Sequence, residues 1–167
     1  MTADFVQQRH KEPQTLDRER EIVVVCEPLR SNVNLSSIMR TSSCFGIKKI
    51  IAGGQAKVIQ KVARDGETEV EVKVHRTIGP VLKKLKAEGF RLVGLEQTND
   101  SRDIFEYQFH RKTALVIGNE RKGIDPENLA LLDDVVEIPI WGLPYSLNVA
   151  NATSMALYEY CRQFPKG

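Results

Sequence analysis

The sequence predicts a single α/β domain: a parallel sheet with helices on both faces. Two observations carry this expectation. Short β-branched apolar runs such as "IVVV" and "ALVI" recur along the chain and lack the in–out alternation of a sheet with one wet face. They are separated by segments whose apolar residues fall at helical spacing, and strands alternating with helices imply a sheet covered on both sides. At 167 residues the chain suits one well-buried domain and is short for two. Residues 21–167 are read as that domain and residues 1–20, polar and carrying Pro13, as an arm.

Taken in order, "EIVVVCEP" predicts a strand buried on both faces and stopped by Pro28. "NLSSIMRTSSCFG" sets Leu35, Ile38, Met39 and Phe45 at helical spacing, with Asn34 at the cap and Gly46 where the helix ends. "IKKIIAGG" is the second strand. In "TEVEVKVH" Val70, Val72 and Val74 alternate with Glu69, Glu71 and Lys73, which predicts a half-exposed segment, short or at an edge. "TIGPVLKKLKAEG" reads as a helix ending at Gly89, and "FRLVGLE" as the next strand. "TALVIGNE" repeats the strand-into-turn pattern, "DPENLALL" gives a short helix with Pro126 in its first turn, and "DVVEIPI" a further strand. The last helix is expected from about Ser146, which reads as its cap.

Composition narrows the function. Charged residues are 28% and hydrophobic ones 41%, so neither a disordered chain nor a fibrous repeat is suggested. The apolar runs are far too short to span a bilayer, and the first residues lack the apolar core of a secretory signal, so a cytoplasmic location is expected. Cys26, Cys44 and Cys161 are scattered, as are His10, His75 and His110, and neither set has metal-ligand spacing. A net charge of +2 permits RNA as a partner, with Lys48-Lys49, Lys83-Lys84 with Lys86, and Arg121-Lys122 as local basic clusters. G-x-G-x-x-G after the first strand and G-x-x-x-x-G-K-[ST] are both missing, so the common dinucleotide and P-loop readings lack support.

In a parallel sheet, ligands bind beyond the carboxyl ends of the strands. Three such ends, "GLEQT", "IGNERKG" and "IPIWGLPYSLN", fall in the second half of the chain. Here "NLSSIMRT", "LVIGNERKGI" and "IPIWGLPYSLNVANATSMALYEY" resemble, in order and spacing, the three motifs of the SpoU/TrmH family of RNA ribose 2′-O-methyltransferases, within the SPOUT superfamily. The resemblance covers about residues 21 to 163 and extends to "HRTIG" and "LVGLEQT".

The resemblance implies a C-terminal deep trefoil knot, S-adenosylmethionine as cofactor and a homodimer whose active sites are completed near the interface. It assigns Arg40, Asn34, Glu120, Ser146 and Asn148 to catalysis, with Glu120 orienting Arg40. It gives Leu95, Gly118, Ile138 and Leu147 to the cofactor, and implies no metal. Chemistry agrees, because methylating a ribose hydroxyl needs the oxygen held in line with the methyl group and help as negative charge grows on it. A guanidinium stays protonated in proteins, so Arg40 is read as gripping the neighbouring phosphate and stabilising the oxyanion rather than as the base.

Within the family, "HRTIG" and "SLNV" most resemble the tRNA subgroup that methylates guanosine 18 of the D-loop, with wobble-position tRNA and ribosomal RNA as alternatives. Outside the class, the alternatives are a non-catalytic RNA-binding or assembly factor and an unrelated nucleotide-binding domain. The chain departs from many relatives at Arg121-Lys122 and at Pro144 and Tyr145, positions expected to touch RNA. With about twenty residues before the first strand, substrate capture is expected to use the arm, the basic clusters and the dimer partner.

Overall fold

A computed structural model describes residues 4–167; the first three residues of the expected arm lie outside the described residues. The elements run β1 (Ile22–Cys26), α1 (Asn32–Cys44), β2 (Lys49–Gly53), α2 (Gln60–Ala63), α3 (Gly66–Glu69), β3 (Glu71–His75), α4 (Gly79–Ala87), β4 (Arg91–Leu95), β5 (Arg102–Asp103), β6 (Thr113–Ile117), α5 (Pro126–Leu129), β7 (Asp134–Glu137) and α6 (Val149–Gln163). The strands form one sheet in the order β3-β2-β1-β6-β4-β7-β5, and every pairing is parallel. The expected α/β class is therefore the observed one.

Period-two geometry explains the core. In β1, Ile22, Val24 and Cys26 join Leu35, Ile38 and Met39 of α1 and Ala156, Leu157 and Tyr160 of α6 in one buried cluster. Val23 and Val25 point to the other face and meet Leu82 and Leu85 of α4. β6 splits likewise, Leu115 and Ile117 to one side, Ala114 and Val116 to the other. Both strands are buried on both faces, which is why their sequences show no polar alternation.

Several boundaries differ from expectation. The cap of α1 is Ser31, whose backbone is extended and whose hydroxyl accepts from the Asn34 N–H at 3.3 Å. Asn34 thus lies inside the first turn, its side chain free for other work. The cap of α6 is Asn148, accepting from Ala150 N and Asn151 N at 2.9 and 3.3 Å; Ser146 stays in the preceding loop. Gly46 and Gly89 take positive φ just past their helices, as expected for helix ends. β3 is an edge strand; Val70 before it is buried, whereas Val74 within it is half exposed. The short α2, α3 and β5 carry too little periodicity to be read from sequence.

Connectivity places the later elements. From β4 the chain crosses to the far edge, lays down β5, returns to form β6 between β1 and β4, and then inserts β7 between β4 and β5. Residues 4–20 form no helix or strand, but their end is tied to the body: Arg20 donates to the carbonyls of Phe45 and Phe164, and Asp17 N to Lys166 O at 2.9 Å. Among the described residues no helix is long and apolar enough to cross a membrane.

Leu115 is fully buried at the centre of the sheet. Leu115→Ala is expected to lower unfolding free energy by about 2–5 kcal/mol, read as a lower urea midpoint at unchanged denaturant slope.

Candidate active site

Because β6, β4 and β7 are adjacent and parallel, the loops at their carboxyl ends open on the same side of the sheet. They enclose a cavity of about 510 Å³. Leu95 and Glu96 line it from the end of β4, Ile117 to Arg121 with Gly123 from the end of β6, Glu137, Ile138 and Ile140 from the end of β7, and Ser146 to Val149 from the entrance of α6. Apolar side chains such as Leu95, Ile117, Ile138 and Leu147 share the lining with polar ones such as Glu120, Ser146 and Asn148, a mixture and a volume that suit a nucleoside-sized ligand.

The loop after β6 is shaped by two glycines. Asn119 and Gly123 exchange backbone hydrogen bonds, N to O at 2.9 Å in both directions, closing the loop on itself. A Cβ on Gly118 would sit 2.6 Å from the backbone of Gly123; Gly123 has φ +69°, and a Cβ there would lie 2.4 Å from a Glu96 carboxylate oxygen. That carboxylate accepts from Ile124 N at 3.1 Å, so Glu96 fastens the end of β4 to the loop after β6.

One polar network spans three elements. Glu120 accepts from Arg30 N at 2.7 Å, Ser31 N at 3.0 Å and the Asn34 amide at 3.0 Å. Asn148 donates from its own amide to Asn34 Oδ1 at 3.2 Å while its oxygen caps α6. Asn119 reaches Pro28 O at 2.7 Å, a second tie between the loop after β6 and the end of β1. The entrance of α1, the loop after β6 and the entrance of α6 are thereby held in one arrangement.

Of the residues expected at the site, Leu95, Gly118, Glu120, Ile138, Ser146, Leu147 and Asn148 all line the cavity, and Asn34 joins through its bonds to Glu120 and Asn148. Arg40 does not line it. It lies on α1 six residues after Asn34, about 9 Å along the helix, is exposed, and makes no hydrogen bond or ion pair among the described residues. The expected Glu120–Arg40 pairing is not made in the single chain: the three N–H donors near Glu120 take its carboxylate instead. Sequence reasoning missed Glu96, Asn119 and Ser31. Glu96 stands beside Leu95 in "GLEQT", and a Ser three residues before Asn34 is itself a cap signal.

Burial alone would raise the Glu120 carboxyl, but the hydrogen bonds from Arg30 N, the Asn34 amide and Ser31 N outweigh it and hold it below the usual carboxylate range. Burial, with the Glu120 charge adding to it, pushes the Cys26 thiol up to about 12, which marks it as an inert core group. Among the described residues, no group of three or more His, Cys, Asp or Glu is placed to hold a metal ion.

A depressed carboxyl stabilises the fold above its unfolded value, and that contribution is lost as pH falls through the folded one. Melting temperature is therefore expected to fall on the acid side of the carboxylate range, and Glu120→Gln to flatten that limb while lowering the plateau; an unchanged acid limb would mean that the network contributes nothing.

Comparison with known proteins agrees with the geometry. The chain is 33% identical over 149 residues to the tRNA (guanosine(18)-2′-O)-methyltransferase of Escherichia coli (strain K12), matching 87% of this chain and 65% of that protein, so it spans just under two thirds of that relative's length. In structure it is similar to the A. aeolicus TrmH/SpoU tRNA modifying enzyme, with a TM-score of 0.84 and 28% identity over 90% of this chain and 78% of the other. It is also similar to the SpoU methyltransferase AviRb from Streptomyces viridochromogenes in complex with the cofactor AdoMet, with a TM-score of 0.75 and 30% identity over 90% and 60% of the two chains. Residues 21–158 match the SpoU rRNA Methylase family, and the chain belongs to that family.

Proposed function

We propose that the protein is an S-adenosylmethionine-dependent RNA 2′-O-ribose methyltransferase acting on tRNA, with guanosine 18 of the D-loop as its target. The observation that carries this reading is the meeting of three strand-end loops at one cavity, with the Asn34–Glu120–Asn148 network at its rim. Relatives bearing that tRNA activity in their names support the substrate, and the AdoMet complex of AviRb supports the cofactor. We read residues 21–167 as the catalytic domain, residues 1–20 as its arm, and the cytoplasm as its location.

The cavity fits the cofactor. Leu95, Ile138 and Leu147 offer apolar contact to an adenine, and the missing Cβ atoms at Gly118 and Gly123 let the loop after β6 close on itself and on Glu96 along the cavity wall. When bound, the cofactor supplies an electrophilic methyl group on a sulfonium. The chain's share is to orient the ribose hydroxyl and to stabilise charge on its oxygen. Asn148 and Ser146 line the cavity, and we read them as holding the ribose; Glu120 fixes Asn34, and Asn34 fixes the Asn148 amide. Arg40, left without a partner among the described residues, is free to take the phosphate beside the target ribose and to direct an N–H at the hydroxyl.

The same reading includes the family's trefoil knot and homodimer. The insertion of β7 between β4 and β5 and the return of α6 against α1 support a threaded C-terminal segment. Val33 on α1 and Met155 and Tyr158 on α6 are 50%, 47% and 63% exposed, apolar surface that a second copy would cover. Sedimentation at micromolar concentration is expected to give a dimer, and Tyr158→Glu to shift it toward monomer.

Transfer of a labelled methyl group from S-adenosylmethionine to total tRNA and rRNA, with the modified nucleotide mapped by mass spectrometry, tests the function. A 2′-O-methylguanosine at position 18 of the D-loop is the expected product. Methylation at the wobble position or in rRNA would keep the chemistry and overturn the substrate. Arg40→Ala is expected to lower transfer by about a hundredfold or more while leaving S-adenosylhomocysteine affinity nearly unchanged; no Arg40-dependent transfer to any RNA would point instead to a non-catalytic RNA binder.

A further inference from the structure

Residues 141–145, between β7 and α6, stand outside the lining of the active-site cavity, although the residues on either side of the segment, Ile140 and Ser146, belong to it. Within this short segment three large apolar side chains are left in water: Trp141 is 83% exposed, Leu143 76% and Tyr145 77%. We propose that Trp141 and Tyr145 form a stacking surface for unpaired bases of the RNA next to the target ribose. The inference rests on the reading of the protein as an RNA enzyme and adds a contact to the bases, where that reading places only the ribose and its phosphate.

A cluster of large apolar side chains in water marks a contact surface, whereas single ones need no explanation. Elsewhere in the chain aromatic rings find one another: Tyr107, Phe109, Tyr160 and Phe164 meet in succession, with centroids 4.9–5.9 Å apart. Among the described residues neither Trp141 nor Tyr145 meets another ring, and neither side chain makes a hydrogen bond. A Cβ added to Gly142 would have nothing within 4 Å, so the segment projects into open space. Its end is nonetheless anchored at the site: Gln97, itself a cavity residue, donates from its amide to Tyr145 O at 3.3 Å.

Chemistry selects the occupant. Residues 138–147, "IPIWGLPYSL", carry no charged side chain, so this surface offers the phosphates of a polyanion no ion pair. It offers ring faces instead, and every nucleobase has a π-face to lay on them. Unpaired RNA loops are recognised in this way, their bases splayed out and stacked on Phe, Tyr or Trp. In the proposed reaction the cofactor and the target ribose share a cavity of about 510 Å³, which leaves the neighbouring bases at its mouth, where residues 141–145 begin and end. A second copy of the chain is the other occupant that apolar surface suits. Its share is read on Val33, Met155 and Tyr158 of α1 and α6, and residues 141–145 belong to neither helix.

Trp141 is the only tryptophan of the chain, so the protein's own indole emission reports on this segment. Titration with an unmodified tRNA transcript is expected to quench that emission to a stoichiometric end point and to shield the ring from acrylamide, whereas a fully paired RNA duplex should leave it as in the free protein. Trp141→Ala and Tyr145→Ala are each expected to weaken tRNA binding about tenfold, and Trp141→Phe to restore most of the loss. The slope of log K against log salt should stay at its wild-type value in all three, because stacking releases no counterions. An unchanged thermal shift with S-adenosylhomocysteine shows that the variants are folded. Bound tRNA that leaves the emission unchanged, equal quenching by the duplex, or wild-type affinity in Trp141→Ala would each overturn the proposal. So would a ring already shielded in the RNA-free protein and exposed on dilution, since a second copy would then cover it, and so would quenching by S-adenosylhomocysteine alone. Quenching by tRNA without methylation of any RNA would count against the enzymatic reading and leave the base contact standing; methylation without quenching would do the reverse, and failure to bind RNA would overturn both.

Discussion

β6 is hydrogen-bonded along its length to β1 on one side and β4 on the other, and all five of its residues are buried. Its register sets Ile117 beside both Cys26 and Leu95. Three chain segments distant in sequence therefore end at the same level, and β7, aligned on β4, brings a fourth. The cavity exists because these ends are level. A one-residue slip of β6 would reverse which of its side chains face α1 and α6 and which face α4, and would carry Gly118 and Glu120 out of place.

The two ends of the sheet treat their carboxylates differently. At the carboxyl end, Glu120 and Glu96 are met by neutral N–H donors from loops and helix entrances, which fixes backbone position without any cation. At the amino end, Asp133 and Asp134 are met by Lys86, Arg91 and Arg102. The first arrangement leaves Arg40 without a partner among the described residues, whereas at the second end Lys112 donates to Glu88 O and Arg111 stacks on Phe164. A free cation is what a polyanionic substrate requires, and in the proposed reaction Arg40 supplies it.

Rigid attachment also explains the small polar residues at the entrance of α6. Asn148 caps the helix with its oxygen and reaches Asn34 with its nitrogen, so one side chain serves both the helix and the site. Two residues earlier, Ser146 faces the cavity because the cap lies beyond it. A helix starting at Ser146 would have turned that hydroxyl to backbone capping.

The strands buried on both faces, the helices at Gly46 and Gly89 and the edge position of β3 were legible in the sequence because they follow from local periodicity and backbone freedom. Seven of the cavity-lining residues were legible too, through the family motifs and the strand end at Leu95 rather than through spacing alone. Other features depended on distant partners. Asn34 reads as a cap in isolation because a small polar residue before an apolar helix usually is one. It lies within the first turn of α1 because Ser31 takes that role, while its side chain finds Glu120, 86 residues away. The pairing of Asp133 with Lys86 and of Asp134 with Arg91 is equally invisible locally, since 47 and 43 residues separate the partners. Sequence by itself determined what each segment buries, because burial follows a local period; tertiary structure alone decided which polar groups meet and which remain free, because those partners are set by sheet register and chain crossings.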